Sequence, residues 1–179
     1  MVRFVVALMA VAVVASSGAS SGAGRALAQE AILSFAPVAD ATIDSRSPGT
    51  NFGATTSLET GASPEKHILM KFFVSGISGR PVGSALLRMY VADGSRSGGT
   101  LYWMPNGLWN EQTVTWNNAP AYHRPAAVSL GSVAPGNRYV IDVTPLVRAN
   151  GALALRFVPS TGDATVYASR ESGPELAPQ

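Results

Sequence analysis

An all-β sandwich or barrel is the fold class predicted by this chain of 179 residues, and three observations predict it. Beyond the first thirty or so residues, the apolar residues fall in short runs separated by turn residues at intervals of roughly 8 to 15 positions, the spacing of antiparallel strands. The longest runs alternate between more and less apolar positions, with the period of two that an extended backbone imposes on its side chains. Gly and Pro are abundant, at 18 and 12 residues, and only 13% of the chain is charged, which suits one turn-rich domain with a real core and hardly two.

The predicted strands run in order from Ile32 to Phe35, Ala41 to Asp44, Ser57 to Gly61, Lys66 to Val74, Ser84 to Val91 and Thr100 to Met104. They continue with Val114 to Trp116, Val128 to Val133, Tyr139 to Val143, Ala152 to Val158 and Thr165 to Ala168. Thr113-Val114-Thr115-Trp116 has the β-branched and aromatic bias of a strand, and Asn117-Asn118 with Pro120 stops it in a turn. Residues 142–148 predict one helical turn after a strand, because Thr144 can cap it and Pro145 suits the first helical position. Asn150-Gly151 ends that turn. There is no longer helix pattern and no internal repeat.

The N-terminus carries Arg3, an apolar run from Phe4 to Ala15, and small residues ending in Ala26-Leu27-Ala28. This is the pattern of a secretory leader cut before Gln29. The apolar run is short of the roughly 20 residues that span a bilayer, so a membrane anchor is not expected. The organisation is then a leader over 1–28, a short segment over 29–38 and the domain over 39–179, in a secreted, extracellular protein. Without the leader the chain holds 11 basic and 11 acidic residues, so the formal charge of +2 gives no argument for nucleic acid or an acidic membrane surface. Cys is absent, which excludes disulfides and thiol chemistry and leaves a bound ion as one candidate staple.

Four segments occur together in an ordered series: Ala39-Asp-Ala-Thr-Ile-Asp-Ser45 with Pro48-Gly-Thr-Asn-Phe-Gly53, Ile68-Leu-Met-Lys-Phe-Phe-Val-Ser-Gly-Ile77 with Ser84-Ala-Leu-Leu-Arg-Met-Tyr-Val91, Trp109-Asn-Glu-Gln-Thr-Val-Thr-Trp-Asn-Asn-Ala-Pro120, and Ala168-Ser-Arg-Glu-Ser172. In order and spacing this series resembles the DNRLRE-type domain, related to disaggregatase-associated modules and to the alginate-binding modules of carbohydrate-binding family ninety-six. The resemblance runs from about Ala39 to Gln179. It implies a jelly-roll-like antiparallel β-sandwich used as an accessory or surface module, which is no enzyme. Members usually continue past a Pro-Gln pair with a closing apolar run, whereas this sequence stops at Gln179. The resemblance therefore implies a missing last strand and an unpaired edge through which chains could associate with one another.

Alternation supplies the candidate ligand site. Ile68, Met70, Phe72 and Val74 form one face of their strand, Ala85, Leu87, Met89 and Val91 one face of the next, and Leu153, Leu155 and Phe157 one face of a third. The opposite faces each carry one cation, Lys71, Arg88 and Arg156. If these strands are neighbours in one sheet, the cations form a basic ladder with Tyr90 beside it. Guanidinium groups pair with carboxylates and a tyrosine ring can stack on a sugar, so the ladder suits an acidic polysaccharide such as alginate or pectin. The bland reading is solvated or structurally paired charge on an outer face. Trp103 is a further ligand candidate if it points outward from its strand, whereas Trp109 and Trp116 are expected to pack.

Two other chemistries are suggested by the residue types. Tyr122-His123-Arg124 supplies the residue types of a β-fold polysaccharide lyase, but three consecutive residues do not normally converge on one atom. Asp40, Asp44 and Asn51 around the turn-rich segment after the second predicted strand offer oxygen ligands for Ca²⁺, against an ordinary reading as turn and strand-end residues. The expected function is a secreted, non-catalytic carbohydrate-binding or cell-surface adhesion module. The alternative is a purely structural module of a larger assembly.

Overall fold

The computed structural model describes residues 4–8, 31–77, 79, 81–173 and 176. Among them lie eleven strands: β1 (Phe4–Leu8), β2 (Ala31–Phe35), β3 (Pro37–Asp44), β4 (Ser57–Ala62), β5 (Glu65–Val74), β6 (Val82–Asp93), β7 (Gly99–Met104), β8 (Val128–Leu130), β9 (Arg138–Asp142), β10 (Gly151–Val158) and β11 (Thr165–Ala168). Short 3-10 turns cover Thr144–Leu146 and Arg170–Ser172. The fold is all-β, with 49% of the described residues in strands, and its antiparallel sheet nearly closes on itself.

One wall runs β3-β5-β10-β7-β8, and the other is built on β6, which pairs with β1, β9 and β11; β4 joins the walls by pairing with β5 and β11. The alternating apolar faces named from the sequence meet between the walls. Met70, Phe72, Leu87, Met89, Leu155 and Phe157 are all fully buried in one cluster, joined by Leu58, Leu101, Ile141 and Tyr167. Burial of these large side chains is the main stabilising term, at about 1.5 to 3 kcal/mol each. Tyr167 also donates its hydroxyl to the carbonyl of Gly98 at 2.7 Å, so its one polar atom is satisfied inside the core.

A second, smaller core lies on the outer surface of the first wall. Cross-strand register sets Ala39, Lys71, Ala154 and Met104 in one row there, and Ala41, Leu69, Arg156 and Tyr102 in the next. The small Ala side chains let the strandless segment 105–127 lie close over this surface. Trp109 and Val114 from that segment pack with Ala39, Ala41, Ile43, Leu69, Met104 and Ala154. Gly53 is required for the approach, since a Cβ there would stand 2.0 Å from the carbonyl oxygen of Glu111.

Val114 to Trp116 is not a strand, contrary to its composition. The amide of Val114 donates to the carbonyl of Asn110, and Asn118 bonds the backbone of both Thr113 and Thr115, so asparagine side chains take the hydrogen bonds a ladder would have made. The expected helical turn forms at Thr144–Leu146, but Asp142 rather than Thr144 accepts the first amide proton, and Thr144 Oγ1 accepts from the amide of Ala85. The proposed leader boundary at residues 28 and 29 and most of the C-terminal stretch in which a closing strand was expected to be missing lie outside the described residues. Among the described residues no helix is long and apolar enough to cross a membrane.

Candidate functional site

The basic ladder is divided by the fold. Lys71 and Arg156 lie on adjacent strands of the first wall, whereas Arg88 and Tyr90 lie on β6 in the second. Both walls turn their apolar faces to the shared core, so the remaining faces point away from each other. The four residues therefore form no single strip, because the condition that their strands neighbour one another is not met.

Lys71 and Arg156 are engaged beneath segment 105–127. Lys71 Nζ donates to the carbonyl of Trp109 at 2.6 Å and sits 4.8 Å from the centre of its ring, a cation–π contact. Arg156 is 8% exposed. Its Nε donates to His67 Nδ1 at 2.8 Å, its Nη1 to the carbonyl of Pro120 at 3.0 Å, and its guanidinium stacks 4.9 Å from the Tyr122 ring. Burial lowers the pKa of Arg156, opposed by Tyr122 and Glu65. His67 completes the group, with Nε2 2.8 Å from Glu65 Oε1 and its ring packed on Trp116 and Tyr122. Since Nδ1 accepts from an arginine, Nε2 must carry the proton, and the tautomer is fixed. Burial first, then the Arg156 charge, lowers the His67 pKa to about 4 against the pull of Glu65.

A lyase would need His67 or His123 within hydrogen-bonding reach of a tyrosine. Both nitrogens of His67 are taken by Glu65 and Arg156, and the Tyr122 hydroxyl accepts from Arg124 Nη2 at 2.9 Å. His123 packs its ring 5.8 Å from that of Trp103. The histidines thus serve in packing and in a buried hydrogen-bond chain rather than in a tyrosine–histidine pair.

Arg88 and Tyr90 have a partner that sequence reasoning missed. On the outer face of β6 and β9, Arg88 stands opposite Val140 and Tyr90 opposite Arg138. Arg88, Arg138 and Val140 are exposed, and the Arg138 guanidinium lies 5.7 Å from the centre of the half-buried Tyr90 ring. The alternation Arg138, Val140, Asp142 in the sequence carried the signal, but only the pairing register makes Arg138 a neighbour of Tyr90.

Trp103 does point outward, at one end of the sandwich. It is 37% exposed. A groove of about 590 Å³ opens there between Trp103, His123, Val128, Leu146, Arg148 and Asn150. The groove reaches Asp142 at the end of β9 but not Arg88, and it is mostly apolar with a few polar side chains in its lining, which is the make-up of a small-ligand site.

The three oxygen-bearing residues suggested for a metal do not converge. Asp40 and Asp44 are four residues apart on β3, about 13 Å along an extended strand, too far to share an ion. Asp44 accepts from the amide of Arg46 and lies 3.9 Å from Lys66 Nζ. Asn51 donates its amide to the carbonyls of Glu111 and Val114 at 2.7 Å each, clamping the covering segment. Asp40 instead meets Glu111 and Glu171, with carboxylate oxygens, one from each, within 4.8 Å of one another. Arg170 stands beside them, its Nη1 2.9 and 3.0 Å from the two oxygens of Glu111 and its Nε 3.4 Å from Glu171 Oε1.

Thus motif segments that are distant in sequence meet at one corner and along one covered surface of a β-sandwich. Residues 31–179 match Carbohydrate-binding module family 96, and the chain belongs to that family. No curated protein was found to match the chain.

Proposed function

We propose that this chain is an exported, non-catalytic DNRLRE-type module that binds an acidic polysaccharide, such as alginate or pectin, on the outer face of β6 and β9. The observation that carries the reading is the exposed pair of guanidinium groups, Arg88 and Arg138, flanking Tyr90 on one flat strand pair. Each can pair with a uronate carboxylate, and the ring offers a stacking surface between them. Membership in a carbohydrate-binding family supports the ligand class. Lys71 and Arg156 act instead beneath segment 105–127, and Trp103 offers a separate contact in the end groove.

Retardation of the protein in gels containing alginate or pectin tests this. Arg88→Ala should weaken retention by roughly 1 to 3 kcal/mol in affinity without lowering the melting temperature, and added salt should weaken it further. Arg156→Ala should do the reverse, costing roughly 2 to 4 kcal/mol of stability because it leaves His67 Nδ1 and the Pro120 carbonyl unpaired. Unchanged retention of the Arg88 and Arg138 variants would sink this site. Failure to bind any uronate polymer or neutral glycan would favour a purely structural module.

A further inference from the structure

We propose that Asp40, Glu111 and Glu171 hold a divalent cation, with Ca²⁺ the expected ion, where β3, segment 105–127 and the Arg170–Ser172 turn meet. The site is independent of the glycan face, which lies on β6 and β9.

The geometry begins with Asp40. Its side chain is 1% exposed, and one of its carboxylate oxygens, Oδ1, is fully buried with no hydrogen-bond partner among the described residues. Its other oxygen, Oδ2, accepts from the amide of Arg170 at 2.9 Å. The neighbouring acids are better supplied. Glu111 Oε1 accepts from the amide of Asp40 at 2.8 Å, both its oxygens accept from Arg170 Nη1, and Glu171 Oε2 accepts from the Ser169 hydroxyl. An anionic oxygen buried without a donor beside two more carboxylates is costly, since each charge opposes the others and water does not reach it. Buried oxygens of this kind call for a partner.

The charge count says which partner. With Asp40 ionised, three carboxylates and one guanidinium, that of Arg170, leave two negative charges uncompensated at this corner, and without a cation beside it burial pushes the Asp40 carboxyl up to about 7. One divalent cation neutralises them. The donors are all hard oxygens, which suit Ca²⁺, Mg²⁺ or Mn²⁺ better than the thiolate- and imidazole-preferring metals. An arrangement of carboxylates already shared with Arg170 is irregular, and Ca²⁺ accepts irregular sets of 6 to 8 oxygens, whereas Mg²⁺ requires a near-ideal octahedron. Such an ion joins Asp40 to Glu111 and to Glu171, distant along a chain that has no disulfide to do so.

Titration calorimetry and thermal melts of the full chain, first stripped with chelator, test the site with CaCl₂ and MgCl₂ as probes. Terbium luminescence excited through tryptophan gives an independent readout, because Trp109 is two residues from Glu111. The expected result is one Ca²⁺ per chain, a rise in melting temperature reversed by chelator, and a weaker response to Mg²⁺. Glu171→Gln should weaken binding at least about tenfold while the chain still folds, since fewer ligand charges lower affinity. Asp40→Asn should abolish it, and if that variant does not fold, Glu171→Gln carries the test. Absence of stoichiometric binding to the native chain overturns the proposal, as does binding undiminished by Glu171→Gln.

Discussion

Arg88 and Arg156 occupy equivalent places in the alternation of their strands, yet one is exposed and the other is buried against His67 and Tyr122. The alternation correctly separates core from non-core faces, but it is silent on whether a non-core face meets water or a covering segment. Leu69, on the face with Lys71, is fully buried, whereas Phe73 on that same face is exposed, so apolar character alone does not locate the cover. His67 shows what such cover does to a titrating group. Its folded-state pKa is lowered to about 4 from the ordinary 6.5, chiefly by burial. Between those values the unfolded chain binds a proton that the folded chain does not, so the stability it contributes is complete above about pH 6.5 and is lost as the pH falls toward about 4. Replacing His67 with Gln, which cannot titrate, should therefore flatten the acid side of the stability profile. Urea midpoints measured across that range provide the check. Equal slopes for the native chain and His67→Gln would show that other groups govern acid unfolding.

Segment 105–127 is the element that the sequence described least well, although it contains the most recognisable motif. Its Trp109 and Trp116 pack as the sequence leads one to expect, whereas Val114 to Trp116 has the composition of a strand without being one, because side-chain propensity reports a half-buried pleated environment and not the ladder itself. The hydrogen bonds that shape the segment come from Asn51, Asn110 and Asn118, and local asparagine bonding leaves little periodic trace. By contrast, the strands that line the main core were legible within a few residues, since burial on one face enforces the period of two. Asn51 is the clamp on which the segment depends. Its amide nitrogen satisfies two carbonyls at once, so Asn51→Ala should cost about 2 to 3 kcal/mol and loosen residues 105–127 before the rest of the fold. Hydrogen exchange should then quicken at Val114 and Thr115 with little change in β5 or β10. Protection that falls evenly across all strands would mean the segment does not open as a unit.

At the scale of the whole molecule, the candidate sites could not be assembled from the sequence because they depend on which wall each strand joins and on long-range register. Asp40 was grouped with Asp44 and Asn51, its neighbours in sequence, whereas the carboxylates that stand beside it, those of Glu111 and Glu171, are far away along the chain. The N-terminal strand raises a related question of pairing. Phe4–Leu8 lies between β2 and β6, and among the described residues β2 has no other strand partner. These same residues form part of the stretch that reads as an export leader. A chain expressed from Gln29 to Gln179 should therefore expose the backbone of Val82 to Leu86 on β6, leaving donors and acceptors that seek another strand. Relative to the chain beginning at Met1, it should melt lower, by on the order of 5 °C, and should associate at high concentration. A peptide spanning Phe4 to Leu8, added in trans, should restore both properties. Sedimentation velocity and thermal melts of the two chains measure this directly. If both are monomeric and melt alike, pairing by Phe4–Leu8 adds nothing to the fold, and β6 completes its edge without it.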